Sequence, residues 1–402
     1  MSAEWSNYKG TWGKSVHMDI HVRLTDSIGS VSDLDWDACL SDTDGGDDHP
    51  FLSHRFLSIL EDSGAVGGNT GWMPKYLTMT DPVGRLLLAV PLFLKTNSFG
   101  DFAPEQHWVE GYDRTGRRYY PKLQLCAPFM PVAGPRLLVR AGGPASLAGQ
   151  AIGVVMDIAQ RNDLSGVHAT YTNESQLRLF EAAGWLPRMG MQYHWHNRGY
   201  RHFDDFLAGL LARKRCAIRR ERRVIANSGL DIRILTGPDL KPEHWAVFAR
   251  FYADTFRRKQ THPHLPPDFF NHLGERMADR AVLIMARDGT RWVGGALHIL
   301  GRDTLYTRSW GAEPGHPLLH FELARYRAID FAIAHGLSRV EAGEGGDYKI
   351  ARGYLPVRTS FAHYFTHPGM LRAVAGNLTG TLPALERQIV QSAAQSPYRT
   401  AS

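Results

Sequence analysis

AVLIMARDGTRWVGGALHILGRDTLYTRSWG, residues 281–311, reads as three short strands joined by two tight turns. The runs AVLIMA, WVGGALHIL and TLYTRSW are rich in β-branched and aromatic residues, and RDGT and GRDT between them supply turn chemistry. HFELARYRAIDFAIAHG (320–336) follows with apolar residues at helical spacing and a glycine stop, and SRVEAG (338–343) closes the group as a strand. Upstream, LDIRIL (230–235) predicts a strand and PEHWAVFARFYADTFRRK (242–259) an amphipathic helix. PPDFFNHLGERMA (266–278) predicts a second helix, led in by Pro266 and Pro267. A strand, two helices, a three-strand meander, a helix and a strand make an α+β lobe rather than a doubly wound parallel sheet.

The first half repeats this order more loosely. VHMDIHVRL (16–24) alternates like a strand, and Phe51, Leu52, Phe56, Leu57 and Leu60 share a helical face before a stop at Gly64. Residues 72–96 predict strand, turn and strand about DPVG, and 99–135 is irregular and aromatic. Helices follow at 145–161 and 174–185, and strands at 165–173 and 191–200. A long helical stretch spans 200–229, a last strand 361–367 and a closing helix 373–395. The expected fold is α+β (mixed α/β) in two lobes, each a twisted, mostly antiparallel sheet flanked by helices. The expected bounds are 1–200, 201–372 with a basic helix at 205–228, and 373–402 as a helical tail.

Bulk properties agree. A chain of 402 residues exceeds one ordinary core, and 43% hydrophobic with 21% charged residues is globular composition. No apolar run approaches the ~20 residues of a membrane helix; Leu86–Leu94 is broken by Pro91. The N-terminal MSAEWSNYKGTWGK lacks an apolar secretory core, so a cytoplasmic protein is expected. Cys39, Cys126 and Cys216 lie far apart without a CxxC pair, which argues against disulfides and zinc. His194 and His196 alternate on one strand face, but no third ligand at telling spacing accompanies them, and no metal is expected. Neither GxGxxG after a strand nor a GxxxxGK[ST] loop occurs.

Two stretches carry chemistry. RKRCAIRRERR (213–223) holds seven bases and one acid in a chain of net charge +6. Arg215, Arg219, Arg222 and Arg223 recur at i+3 and i+4, a stripe that with Lys214 and Arg220 suits phosphate contacts. GEGGDYKIARGYLP (343–356) is the other. Its glycines admit close backbone approach, Lys349 suits an oxyanion and Arg352 a phosphate or carboxylate. An amine nucleophile also needs a route for its proton. The carboxylates considered for that task are Asp101, Glu105 and Glu110 in the first half, and Glu313, Glu344 and Asp347 in the second.

HPFLSHRFLSILEDSG (49–64), YYPKLQ (119–124), PFMPVAGPRLL (128–138), YHWHNRGY (193–200), RKRCAIRRERR, HPLLHFELARYRAIDFAI (316–333) and YKIARGYLPV (348–357) resemble the bacterial tandem-GNAT family described as Fem-like, or peptidoglycan biosynthesis/recognition. The likeness runs from His49 to about Val357, and it is more distant to the Fem aminoacyltransferases. It implies two tandem GNAT-like lobes and an aminoacyl group moved from charged tRNA to an amine-type acceptor. That acceptor would be a peptidoglycan precursor or a small molecule such as an antibiotic intermediate. Lys349, Glu344 and Asp347 would then be the catalytic set. Asp101, Glu105, His107, Trp108, Glu110, Glu313 and Tyr354 would bind substrate, and the basic row with Arg352 would hold the tRNA.

The chain departs from the family pattern at SFGDFAPEQHWVEGY (98–112) and at Gln260 with THPHLPP after it, segments expected near the acceptor. A GNAT that uses acyl-CoA usually carries a Q/RxxGxG/A turn, and neither half has one. The expectation is therefore no bound cofactor, aminoacyl-tRNA as co-substrate, no DNA partner and no membrane span. An acetyl-CoA-type N-acyltransferase and a non-catalytic RNA or cell-wall binding module are the alternatives.

Overall fold

The computed structural model describes residues 19–102 and 105–399, apart from the side chain of Thr379. The N-terminal stretch read for targeting, and residues 16–18 of the first expected strand, lie outside these residues. The chain divides into two compact units, Met1–Gly190 with Thr359–Leu385, and Met191–Arg358 with Glu386–Ser402.

The first unit opens with β1 (His21–Thr25), then β2 (Trp72–Pro74), β3 (Tyr76–Thr80), β4 (Leu86–Val90) and β5 (Leu92–Lys95). These are followed by β6 (Lys122–Leu125), β7 (Leu138–Val139), β8 (Gly166–Thr172) and the start of β9 (Leu186–His196). The order β1-β3-β4-β7 makes one sheet, and β2-β5-β6-β8 runs through another. β2 with β3, and β4 with β5, are single extended runs broken at Lys75 and at Pro91, where a proline cannot donate to the ladder. β6 and β8 pair in parallel, with helix Leu147–Arg161 as the crossover between them. That helix buries Ile152, Val155 and Ile158 in a core with Leu88, Leu123, Leu125 and Val167. The segment read as irregular contains a helix, Gln106–Arg114, whose buried face is Trp108 and Tyr112.

The second unit takes up the end of β9 and adds β10 (Asp231–Thr236), β11 (Ala281–Asp288), β12 (Arg291–Leu300), β13 (Thr304–Ala312), β14 (Arg339–Glu341) and the start of β15 (Leu355–Phe365). Its sheet order is β10-β11-β12-β13-β14-β9. β10 to β13 are antiparallel in sequence, the meander read from 281–311. β13 then pairs in parallel with β14 only over Thr304–Tyr306, although β13 runs on to Ala312. Beyond Tyr306 the ladder between them ends, and the carbonyls of Trp310 and Ala312 accept from Thr255 and Arg258 of helix Pro242–Arg258. Helix Pro242–Arg258 packs hard on β13: a Cβ at Gly311 would sit 2.2 Å from the Phe251 carbonyl oxygen, so only glycine fits. Back in the first unit, β15 pairs antiparallel with β8 from Ser360 to Phe365.

Two helices differ from expectation. The stretch 200–229 is two helices, Phe203–Ala208 and Ala212–Ala226, because the chain turns at Gly209 and Leu210 bridges to Tyr398. The helix at 320–336 carries a π-turn, Glu322–Tyr326, between α segments Leu319–Phe321 and Arg327–Ala334. Such a bulge shifts side chains out of helical register and is common at functional sites. Here its five side chains are all buried.

Candidate functional site

The glycine segment after β14 folds back on itself around one lysine. Gly343, Gly345, Gly346 and Gly353 all have positive φ, and Asp347–Arg352 forms a 3-10 turn between the last two. Lys349 is buried, and its ammonium donates to the carbonyls of Ala342 at 2.8 Å, Gly343 at 3.2 Å and Glu344 at 2.7 Å. All three N–H groups are therefore engaged within the loop. To reach a substrate oxygen the ammonium must release one of them, and the Gly343 bond is the longest. Burial, with Arg325 and Arg308 behind it, lowers the Lys349 pKa to about 7, while Glu344 pulls the other way.

Positive charge is concentrated here. His320 is pushed down to about 3 by burial and then by Arg325, Lys349, Arg352 and Lys259. Its ring lies 4.4 Å from that of Trp310 on β13, and Tyr348 approaches both His320 and Phe321. Such surroundings repel a cation and favour an anion, whether a phosphate or the oxyanion of an attacked ester.

The basic helix Ala212–Ala226 reaches the same loop. Glu221, the lone acid of its basic run, accepts from Arg352 Nη2 at 2.7 and 2.9 Å and from Nε at 3.2 Å. The Tyr326 hydroxyl donates to the same carboxylate. Arg352 also donates to the Tyr348 carbonyl and lies 3.5 Å from the centre of the Phe321 ring. The stripe read from sequence divides. Arg222 turns inward to Asp330 at 2.6 Å and Glu322 at 3.2 Å, over the Phe203 ring. Arg215 donates to the Leu210 carbonyl and is half-buried. Arg219 is exposed with Asp204 at 3.0 Å, Arg220 and Arg223 are exposed, and Lys214 is half-buried.

The remaining predicted residues fall in different places. Glu344 and Asp347 are exposed on the lysine loop, and Asp347 accepts from the Tyr193 hydroxyl at 2.8 Å. Tyr354 is fully buried, its hydroxyl donating to the Arg325 carbonyl, which makes it a support of the loop. Glu313 follows β13 and lies beside Arg291 at 3.5 Å. In the first unit, Asp101 and Glu105 come together on Lys122, Trp108 packs against His363 and Phe365 instead, His107 is exposed and Glu110 sits in an exposed pair with Arg114.

Asp101 and Glu105 meet two lysines that the sequence reading passed over. Lys122 pairs with Glu105 and lies 3.7 Å from Asp101, and Lys95 lies 3.9 Å from Asp101 and 3.6 Å from the centre of the Trp72 ring. Burial raises the Asp101 pKa and lowers that of Lys95 to about 8. The available signal for these lysines was their place at strand ends, Lys95 closing LFLK and Lys122 opening KLQL. Arg308, Arg325 and Glu221 were likewise missed, although Glu221 is the one acid of the basic run and Arg325 lies in the quoted stretch 316–333. Among the described residues, no group of three or more His, Cys, Asp or Glu side chains is placed to hold a metal ion, and no helix is long and apolar enough to cross a membrane.

A family model described as peptidoglycan biosynthesis/recognition, Fem-like, matches residues 27–400. Among solved structures, the fold is similar to that of FemX at 11% identity and TM-score 0.53, covering 83% of this chain and 96% of that one. It is also similar to the C-terminal domain of a putative lysylphosphatidylglycerol synthetase from Agrobacterium fabrum (9% identity, TM-score 0.51, 87% and 98% covered). A tandem GNAT protein from the clavulanic acid biosynthesis pathway is similar at 11% identity and TM-score 0.48, with 87% and 99% covered. No curated protein matches the chain significantly.

Proposed function

The chain belongs to the Fem-like peptidoglycan biosynthesis/recognition family, with tandem GNAT-like lobes, and from that premise we propose that it moves an aminoacyl group from charged tRNA to an amine-type acceptor. Membership makes it an acyltransferase-type enzyme; the donor and the acceptor are our reading. The observation that carries it is the Glu221–Arg352 pair, which joins an exposed arginine row to the loop of Lys349. A donor that is both polyanion and activated ester needs both parts together.

In this reading Arg219, Arg220 and Arg223 take backbone phosphates, which position the donor without reading its sequence. The ester carbonyl lies against the 343–353 loop. The amine attacks the carbonyl carbon, the C=O π pair moves onto oxygen, and protonated Lys349 exchanges its Gly343 bond for that oxyanion. Collapse expels the ribose oxygen, which ends as a hydroxyl by taking up the proton the amine gives up, relayed by base or solvent. The active-site contribution is positioning and charge stabilisation, without a covalent enzyme intermediate. Glu344 and Asp347 border the loop and set its local charge. The acceptor is a peptidoglycan precursor or a small amine. Filter retention of tRNA charged with labelled amino acids tests the donor; retention of acetyl-CoA alone would refute it.

A further inference from the structure

β10 stands last in its sheet order and pairs with β11 alone. Among the described residues, no backbone hydrogen bond from another element reaches Asp231–Thr236. A free edge presents a row of N–H and C=O groups, and natural edges are guarded by proline, a bulge, a lysine or very short length. The edge strand β2 of the first unit is guarded in this way: it has three residues and ends in Pro74. β10 carries none of these devices. It is six residues long, DIRILT, its register with β11 is continuous, and Ile234 is 38% exposed.

An edge that recognises a second copy of itself does so about a two-fold axis perpendicular to the sheet, which runs the strands antiparallel and keeps the two faces. Residues of one face then meet residues of the same face, so the axis passes through a residue and not between two. Opposite charges across a strand pair are favourable, and like charges directly opposite are not. An axis at Asp231 or at Arg233 sets that charge against its own copy. One at Ile234 sets Arg233 against an apolar Leu235, and one at Leu235 leaves Asp231 and Ile232 beyond the end of the paired strand. An axis at Ile232 differs from all of these. It sets Asp231 against the partner's Arg233 and, by symmetry, Arg233 against the partner's Asp231. On the other face it sets Ile232 against its copy and Leu230 against the partner's Ile234.

The side chains are arranged for that register. Oδ2 of Asp231 accepts from Arg233 Nε at 2.9 Å and from Arg287 Nε at 2.8 Å, whereas Oδ1 accepts from no described residue. Asp231 and Arg233 are both open to solvent, so a second guanidinium can reach the spare oxygen. Leu230 and Ile232 pack partly on the core and leave their outer sides uncovered.

We propose that β10 is a self-recognition edge, along which a second copy of this chain pairs antiparallel with the two-fold axis at Ile232. The pairing continues the sheet through backbone hydrogen bonds, and the two Asp231–Arg233 pairs fix its register. Ile218 and Ile225 of helix Ala212–Ala226 belong to the core on the Ile284 face of the sheet. The axis keeps that face, so both basic helices come to one side of the joined sheet.

A six-residue edge makes a small interface, below about 1,200 Å², and a Kd on the order of 10 µM is expected. Sedimentation velocity of the full chain, at loading concentrations on either side of that value, should show a monomer–dimer equilibrium. Arg233→Asp, which sets acid against acid in this register, should weaken the dimer at least tenfold while leaving the far-UV circular dichroism unchanged. The register is read by cross-linking in a Cys216→Ser background, since Cys39 and Cys126 are buried. A chain bearing Asp231→Cys mixed with one bearing Arg233→Cys should form a disulfide-linked dimer on mild oxidation, and neither chain should do so alone. The cross-link decides the matter if Arg233→Asp fails to fold. A monomer at every concentration, a dimer indifferent to Arg233→Asp, or cross-linking by either chain alone as strong as by the mixture overturns the proposal. Neither donor nor acceptor enters this test, so its outcome is independent of the proposed reaction.

Discussion

Glu221 and Arg352 face each other in a bidentate pair, with oxygen to nitrogen distances of 2.7 and 2.9 Å, across the join between the basic helix and the lysine loop. The lone acid in a run of seven bases is thereby a tether. Arg352 is about nine-tenths covered and Glu221 mostly covered, so the pair is poorly screened.

Glu221→Ala strands Arg352 and frees the Tyr326 hydroxyl. It should lower stability by about 2–3 kcal/mol in urea denaturation, and lower kcat more than it raises KM, because the loop rather than the donor contact is loosened. Glu221→Asp should recover part of the stability. Native stability in the alanine variant would remove the tether from the account.

The exposed and inward arginines should separate by phenotype. Replacing Arg220 and Arg223 by Gln should weaken tRNA binding and flatten its salt dependence by about one unit of slope per lost phosphate contact, with unfolding unchanged. Arg222→Gln should mainly destabilise, because buried Glu322 and half-covered Asp330 are then left to Arg327 alone. Equal effects from both would mean that the helix face has been misassigned.

Lys349 makes a pH prediction. Its folded pKa is lowered to about 7 from 10.5. Between those values the unfolded chain binds a proton that the folded one lacks, so this group makes stability rise with pH from about 7 toward 10.5. Lys349→Met should remove that rise in urea midpoints measured across the window. An identical pH profile in the variant would show the lysine to be ordinarily solvated.

Gly353 takes φ of 93°, and a Cβ there would lie 2.7 Å from Phe206 and 3.0 Å from the Tyr398 hydroxyl. Gly353→Ala should cost about 2–3 kcal/mol from strain and overpacking, seen as a lowered Tm. A neutral result would place the loop elsewhere.

How far the sequence could be read follows from what its signals are. The meander of 281–311 was legible because alternation and turn residues are local, and the two-lobe α+β fold followed from element order. The break at Gly209 was hidden, because the bridge from Leu210 to Tyr398 joins residues far apart in sequence. The basic run was plain, but its division was not: i+3 and i+4 spacing defines a face, and only tertiary contacts with Asp330 and Glu322 turn Arg222 inward. Lys349 and its glycines stood out, whereas the three carbonyls around its ammonium depend on the fold of the loop. Asp101 and Glu105 were marked as carboxylates, yet their lysine partners come from two other strands.

The central claim is best tested by turnover. The purified chain would be incubated with tRNA charged with single radiolabelled amino acids and with a panel of amine acceptors, including peptidoglycan precursors, beside a parallel series supplied with labelled acetyl-CoA. The account predicts transfer of label from one aminoacyl-tRNA to an amine, lost in Lys349→Met, and none from acetyl-CoA. Transfer from acetyl-CoA alone, or undiminished aminoacyl transfer by Lys349→Met, would contradict it.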